Sequence, residues 1–361
     1  MNLKVVIVSP GFTSPNGSAF LFPLVKWHSH LREAGIDIKI FKSVDGLDSD
    51  ADVILVDSKY HKYEWTKNQE SIFLDFEKLR SRCERLIYCD TTDSTGSLQV
   101  EVFSFVDAYW KSQVLVNRAQ YLDAMYGHRI YTDYYHRTYR VSDSLPEKSH
   151  VVRDVSDLDK LKVSWNSGLA DYSLWGPMRV QLYEMFPIGL LLGSSENSFS
   201  RWGNQKIHSL SCRFGINYER ETVAWQRKQI AASMKGKLST NKLSRRRYFK
   251  ELKNTKYVIS PFGLGEITLK DFEVFITGGL LIKPSMKHMI TWPNFFTDRQ
   301  TCRQHSWDLS DFEELIEEIG DNEGLSKSIA EFGQENYRKY VSNHEGPALF
   351  IDHLKELLTL G

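Results

Sequence analysis

The sequence predicts an α/β protein with two domains, each built around a mostly parallel sheet, and a helical C-terminal tail. Short apolar segments alternate with segments of helical periodicity along most of the chain, an order typical of βαβ units. With 361 residues the chain is long for one domain and comfortable for two. Two such domains leave a cleft between them, and open α/β sheets bind ligands at the carboxyl ends of their strands.

The first domain is expected to cover residues 1–145. Its first apolar strand runs into a polar, glycine-bearing loop, and Gly35 ends the helical pattern that follows. A linker-like change of composition over about residues 139–160 marks the end of this domain. The predicted strands are 3–9, 36–41, 52–57, 85–89, 106–111 and 129–134, and the predicted helices are 20–34 and a segment near 68–83.

The second domain is expected to cover residues 155–340. A new alternation of strand and helix begins at residues 162–165. The chain from about residue 310 has the period of a helix, and its last part, 341–361, is expected to pack back toward the first domain. The predicted strands are 207–213, 257–260 and 280–283, and the predicted helices are 174–188, 219–235 and 244–254.

Composition and charge restrict the class of protein. The 46 basic residues balance the 46 acidic ones, which disfavours a nucleic-acid partner because such proteins carry a basic face. The four cysteines have no metal-ligand spacing and are expected to be reduced. The chain opens on a strand rather than a signal sequence and has no long apolar run. We therefore expect a cytoplasmic protein, with peripheral contact to a membrane left open.

The loop and helix at residues 260–284 carry the strongest functional signal. Thr268 and Asp271 match the Ser/Thr-x-x-Asp/Glu capping box, which predicts that a helix begins at Thr268. Gly263 and Gly265 precede it and let the backbone approach a ligand closely. The free N–H groups and the dipole of a helix start favour a phosphate. The alternative is an ordinary βαβ corner with a well-capped helix.

Two charged residues of this helix extend the pattern. Lys270 adds a positive charge beside the expected phosphate, and Glu273 suits a pair of hydroxyls such as those of a ribose. With Thr268 and Gly279 they resemble the donor-binding corner of GT-B glycosyltransferases, most closely the exostosin-like pattern, in which an arginine stands where this chain has Lys270. The two-glutamate pattern of the retaining enzymes does not fit, because Glu266 and Glu273 are seven residues apart rather than eight.

The resemblance implies two Rossmann-like domains that face each other across a cleft. The first would bind an acceptor and the second a nucleotide-diphosphate sugar, with no bound metal and no cofactor besides this donor substrate. In this superfamily a basic side chain before the donor motif often meets the phosphates, and Arg213 at a strand end is best placed; an ion-paired surface charge is the alternative. The candidate donor-binding residues are Arg213, Ser260, Gly263, Gly265, Glu266, Thr268, Lys270 and Glu273.

Two further loops supply candidates for catalysis and acceptor binding. Asp90 and Asp93 follow a predicted strand, and an inverting transferase needs a carboxylate to take the proton of the acceptor hydroxyl. The alternative for these residues is an N-cap of the next helix. Gly11 and Gly17 of the first loop, with His28 of the helix after it, are the candidate acceptor-binding residues. A solvent-exposed turn and a surface histidine are the alternatives there.

These observations together predict a metal-independent glycosyltransferase. It would move a sugar to a hydroxyl of a glycan or lipid-linked acceptor, in the synthesis of a cell-surface polysaccharide of bacterial type. Glycosylation of DNA bases or of a small metabolite, and a non-enzymatic sugar- or nucleotide-binding protein, are the alternatives. The basic run at residues 245–247 is either a solvated helix face or a contact for anionic lipid headgroups. The oligomeric state stays open.

Overall fold

A six-stranded parallel sheet occupies the first half of the chain. The computed structural model describes residues 2–193, 198–203, 206–236 and 238–359. The first seven strands are β1 (Leu3–Val8), β2 (Ile36–Phe41), β3 (Ala51–Asp57), β4 (Cys83–Asp90), β5 (Ala108–Lys111), β6 (Gln113–Leu115) and β7 (Leu161–Val163). All but β6 form one sheet in the order β2-β1-β3-β4-β5-β7, and every neighbouring pair is parallel. The strand expected to open a second alternation, β7, therefore lies at the edge of this first sheet.

A second, four-stranded sheet follows in the other half of the chain. The remaining strands of the chain are β8 (His208–Ser211), β9 (Thr255–Ile259), β10 (Leu280–Pro284), β11 (Met289–Thr291) and β12 (Arg303–His305), and all of them except β11 belong to this sheet. The order is β12-β10-β9-β8, again with parallel pairs. Strand β11 instead pairs antiparallel with β6, which ties the two halves of the chain together. Two parallel sheets confirm the predicted α/β class.

The helices lie between and after these strands, and two of them correct the sequence analysis. Ser14 caps the first helix and Pro15 occupies its first position, so the helix begins five residues before the predicted start and breaks at Trp27. The prediction of a strand at 129–134 was wrong. A helix occupies this segment, and Tyr131 and Tyr135, four residues apart, lie on its buried side. The helices are α1 (Pro15–Lys26), α2 (His28–Glu33), α3 (Gln69–Arg80), α4 (Ile130–Tyr139), α5 (Gly176–Met185), α6 (Glu221–Ser233), α7 (Arg245–Lys253), α8 (Leu269–Thr277), α9 (Phe312–Asp321), α10 (Glu323–Val341) and α11 (Gly346–Thr359).

Alternating side chains of the central strands fill a core on each face of the larger sheet. Val6 of β1 and Ile54 of β3 lie in one cluster, whereas Val5 and Val53 lie in the other, as the period of a strand requires. The last helix, α11, contributes Phe350, Leu354 and Leu357 to the second cluster. The chain therefore returns from the smaller sheet and ends against the larger one.

Candidate functional site

A cavity of about 590 Å³ lies where loops from the two sheets meet. Three segments supply most of its lining: the start of α1, the loop after β4, and the loop between β9 and α8. The segments after β3, β5 and β7 and residues in and before α6 complete it, so most of the wall comes from the carboxyl ends of parallel strands. The lining includes Ser14, Asn16, Asp93, Gln113, Arg227 and Leu269.

Helix α8 begins at this cavity with a complete capping box. The N–H of Thr268 donates to Asp271 Oδ2 at 2.8 Å, and the Thr268 side chain accepts from the N–H of Asp271. The predicted helix start at Thr268 is therefore confirmed. A helix leaves its first N–H groups without a partner inside the helix, and the box satisfies two of them. The N–H groups of Leu269 and Lys270 remain for a ligand.

A buried lysine neutralises the negative charge of the capping box. Asp271 is fully buried and pairs with the buried Lys283 ammonium at 2.8 Å. Ser260, a candidate donor-binding residue, donates its hydroxyl to Asp271 Oδ1 at 2.6 Å and lies outside the cavity lining. Because Lys283 compensates Asp271, the positive end of the α8 dipole is left to attract an anion.

Arg227 of α6 is a cavity residue that the sequence analysis missed. Its guanidinium donates to the carbonyls of Gly215 and Pro261, at 3.0 and 3.4 Å, and also to that of Phe262. Tyr218 lies under it, 5.0 Å from the guanidinium carbon to the ring centroid. A signal was present, because Arg227 occupies a position on the buried face of a helix, where arginine is rare unless it is held by acceptors. Arg227 brings a positive charge to the wall of the cavity that Asp93 also lines.

The two glycines before α8 differ in what they permit. A Cβ added to Gly265 would overlap the carbonyl oxygen of Asp93, so this glycine lets the loops of the two sheets touch. A Cβ on Gly263 would meet only the Arg227 side chain, at 3.3 Å. Both glycines line the cavity, but the Gly263 N–H donates to the Gly265 carbonyl at 2.9 Å and the Gly263 carbonyl accepts from the Tyr131 hydroxyl at 2.7 Å, so both polar groups of its backbone are engaged within the protein.

The two candidate carboxylates in the loop after β4 have opposite surroundings. Asp90 is buried and accepts from Lys111 Nζ at 2.8 Å and from the Tyr109 hydroxyl at 2.7 Å. Burial alone would raise the pKa of Asp90, but the Lys111 charge and the hydrogen bonds lower it. Asp93 is exposed to the cavity, and its Oδ1 accepts from the Asn16 side chain at 2.6 Å. The Asp93 carboxylate therefore faces the cavity, whereas Asp90 is held as a structural anion by Lys111.

Five predicted donor-binding residues lie outside the cavity lining: Ser260, described above, with Arg213, Glu266, Lys270 and Glu273. The Arg213 guanidinium pairs with Glu251 through two nitrogens, and the Lys270 ammonium donates to the Arg213 carbonyl. Burial and the charge of Arg227 lower the pKa of Lys270 to about 7. Glu273 is buried and pairs with Arg245 at 3.1 Å.

The chemistry at Glu273 follows from its burial. Burial raises the pKa of Glu273 to about 7, although Arg245 opposes the shift. Arg245 also donates to the carbonyls of Ser173 and Leu174, at 2.9 and 2.8 Å. The Glu273 carboxylate is thus covered by α7 and by the segment before α5 rather than open to a ribose.

The remaining predicted residues do not line the cavity. Glu266 is fully buried, accepts from the Thr95 N–H at 3.0 Å and lies 3.4 Å from His288, so it joins the two loops. Gly17 lies inside α1, and Gly11 adopts a left-handed conformation with φ of 83° beside Glu184. His28 is exposed on α2 and lies 3.4 Å from the carbonyl of Ile38 in β2, away from the cavity. The structure brings Asp90, Asp93, Gly263, Gly265 and Thr268 together at the cavity.

Among the described residues, no group of three or more His, Cys, Asp or Glu side chains is arranged to hold a metal ion. None of the helices in the described ranges has the length and apolar character needed to cross a bilayer.

Comparisons with known proteins give alignments at low identity. No protein-family model and no curated protein matches the chain. HepE of Anabaena in complex with UDP-glucose aligns with 99% of this chain and 100% of its own, at 11% identity and a TM-score of 0.46. A glycosyltransferase from Rickettsia africae aligns with 99% of this chain and 99% of its own, at 11% identity and a TM-score of 0.46. MnaA of S. aureus in a structure with UDP aligns with 100% of this chain and 98% of its own, at 11% identity and a TM-score of 0.41. With TM-scores below 0.5 these alignments carry no argument about activity.

Proposed function

We propose that this protein is a glycosyltransferase of the GT-B class that uses a nucleotide-diphosphate sugar as donor. The acceptor would be a hydroxyl of a glycan or of a lipid-linked sugar, in cell-surface polysaccharide synthesis. One observation carries the proposal: α8 begins at a cavity that loops of both sheets line, and its capping box leaves the N–H groups of Leu269 and Lys270 without a partner inside the helix. A diphosphate is the group that such a helix start, with a neighbouring guanidinium, is suited to hold.

The donor would sit with its diphosphate at the start of α8. The N–H groups of Leu269 and Lys270 would hydrogen-bond the phosphate oxygens, and Arg227 would supply the positive charge that the sequence analysis assigned to Arg213. Ser14 begins α1 at the same cavity, so a second helix start faces the ligand from the larger sheet. A cavity of about 590 Å³ lies in the range usual for small-molecule sites.

The reaction would use Asp93 as its base. In an inverting transfer the Asp93 carboxylate takes the proton of the acceptor hydroxyl while the hydroxyl oxygen bonds to the anomeric carbon. The bond from that carbon to the donor phosphate breaks, and negative charge develops on the leaving diphosphate. Fixed N–H groups and Arg227 would stabilise this charge, a role in which preorganised donors have large effects. Asn16 would hold the carboxylate in position.

A single substitution can remove one of the proposed donors without disturbing the helix. Proline is well tolerated at the first position of a helix, which Leu269 occupies, and it lacks an N–H. Thr268 already has the extended conformation, φ −124° and ψ 153°, that a residue before proline needs. Leu269→Pro should therefore weaken nucleoside-diphosphate binding roughly 10- to 100-fold. Leu269→Ala, which keeps the N–H, is the matched control and should bind like the wild type.

Calorimetric titration with UDP, GDP, CMP, ADP and dTDP would measure this effect, and thermal melts would confirm that both variants fold. Absence of binding by the wild type at millimolar nucleotide would overturn the proposal, as would equal affinities of the two Leu269 variants. Release of the nucleotide from its matching nucleotide sugar, when candidate glycan or lipid-linked acceptors are added, would then identify an enzyme. Binding without sugar transfer to any acceptor would favour the non-enzymatic nucleotide-binding protein instead.

A further inference from the structure

An exposed apolar face runs along helix α5 and the segment after it. Trp175, Met178, Leu182 and Met185 recur at spacings of three and four, which places them on one side of the helix. Their side chains are 38–69% exposed. The chain continues with Phe186, Ile188 and Leu190, which are 57%, 58% and 86% exposed. These seven residues are called the α5 face below.

The number of exposed apolar side chains within this short segment, rather than any one of them, requires an explanation. Single exposed apolar side chains are ordinary on folded proteins. Seven large ones within residues 175–190 form a contiguous surface of the kind that marks contact with a protein or a membrane. The two charged side chains of α5 are both paired, Arg179 with Asp171 and Glu184 with Lys42.

A cluster of unpaired cations lies beside the α5 face. Helix α7 begins next to it, because Arg245 donates to the carbonyls of Ser173 and Leu174, immediately before Trp175. Four exposed basic residues lie close to Arg245 in sequence, in the turn before α7 and along its solvent side, and none of them forms an ion pair with a residue in the described ranges of the chain. These residues, called the α7 cations, are Lys242, Arg246, Arg247 and Lys250.

We propose that the α5 face and the α7 cations dock this protein on an anionic lipid bilayer. An apolar helix face enters the headgroup and acyl boundary, and adjacent arginines and lysines are attracted to anionic lipids. This combination of charge and apolar surface fits lipid better than a second copy of the chain. A two-fold contact through the same surface would bring the α7 cations of both copies together. The proposal does not depend on the proposed catalytic function.

The other side of α5 agrees with this orientation. Pro177, Val180 and Gln181 line a mostly apolar cavity of about 220 Å³ between α5 and α1. This cavity shares Ser14 and Leu269 with the large cavity. A protein docked through the α5 face would therefore hold the smaller cavity about one helix diameter from the lipid surface.

Vesicle binding tests the proposal directly. The wild-type protein should co-float with vesicles of phosphatidylcholine that contain phosphatidylglycerol, more weakly with phosphatidylcholine alone, and less as salt is raised. Phe186→Asp with Leu190→Asp should abolish co-flotation with both kinds of vesicle. Phe332→Asp is the matched control, because Phe332 of α10 is 58% exposed, like Phe186 at 57%. All three positions are exposed, and thermal melts would verify that the variants fold.

The cation half of the surface has its own pair of variants. Arg246→Ser with Arg247→Ser should lower partition into the anionic vesicles roughly 10- to 30-fold and leave partition into pure phosphatidylcholine unchanged. Lys148→Ser with Arg153→Ser, two exposed basic positions elsewhere, should change neither. No co-flotation of the wild type with anionic vesicles would overturn the proposal, and so would binding that survives the Phe186 and Leu190 changes. A dimer by light scattering that those changes dissolve, without vesicle binding, would assign the face to a second copy.

Discussion

At the scale of single residues, the loop after β4 shows how neighbours decide what a carboxylate can do. The sequence places Asp90 and Asp93 together after a strand and offers no means to rank them. The partner that separates them, Lys111, comes from the next strand, where parallel pairing sets Lys111 opposite Asp90. Only the tertiary structure shows that one carboxylate is neutralised and the other faces the cavity.

This contrast gives a prediction with two different readouts. Asp93→Asn should lower kcat about 10²- to 10⁴-fold at unchanged nucleotide affinity and stability, because it removes the proposed base from an exposed position. Asp90→Asn should instead destabilise the protein by about 3 to 5 kcal/mol, because it leaves the buried Lys111 ammonium without its counter-charge. Steady-state kinetics and urea denaturation would separate the two effects. A stable Asp90→Asn variant, or an active Asp93→Asn variant, would show that the roles are wrongly assigned.

At the scale of elements, local signals predicted the corner around α8 and failed at α1 and α4. The capping box and the glycine at 278 mark both ends of α8, because these signals act within a few residues. At α4 the tyrosines suggested a strand, but their spacing buries one side of a helix against the smaller sheet's loops. Arg227, which completes the site, comes from α6, well before α8 in the sequence, and no local pattern shows that the two lie together.

The contact between the two loops can be tested at its closest point. Gly265→Ala would push a methyl group into the Asp93 carbonyl. Because the Cβ is fixed to the backbone of one loop and the carbonyl belongs to the backbone of the other, the loops must move apart. We expect a loss of stability of about 1 to 3 kcal/mol and weaker nucleotide binding. Gly263→Ala, whose methyl group meets only a side chain at 3.3 Å, should cost less than about 1 kcal/mol. Chemical denaturation of the pair measures the difference, and equal losses would argue against a tight loop contact.

At the scale of the whole molecule, the sequence predicted the α/β class and parallel sheets but not how the halves are joined. The contacts that join them include the β6–β11 pair, the buried Glu266 and the return of α11 to the larger sheet. Only the return of the C-terminal helix was expected, because the other two depend on long-range pairing. The cavity forms where these connections bring the loops together, so its residues were predicted only where a local motif marked them.

Buried histidines in both halves give the molecule a pH dependence. Burial, the first cause in each case, lowers the pKa of His128 and of His305 to about 4. Both are neutral in the folded protein at pH 5, whereas an unfolded chain protonates them below about pH 6.5. Since the unfolded state then binds more protons, stability falls as pH drops from 6.5 toward 4. Glu273 opposes this trend, because its raised pKa of about 7 makes the folded state take up a proton first between pH 7 and 4.5.

The two opposing effects make substitution more informative than the wild-type profile alone. From pH 7 to pH 5 each buried histidine should contribute a loss of about 2 kcal/mol in the free energy of unfolding. His128→Gln and His305→Gln should each remove that part of the pH dependence, and Glu273→Gln should steepen the fall. Urea denaturation at the two pH values measures the increments, with His344→Gln at an exposed position as the control. If His305→Gln left the difference between the two pH values as it is in the wild type, the imidazole of β12 would have to be protonated in the folded protein, against the burial that the structure shows.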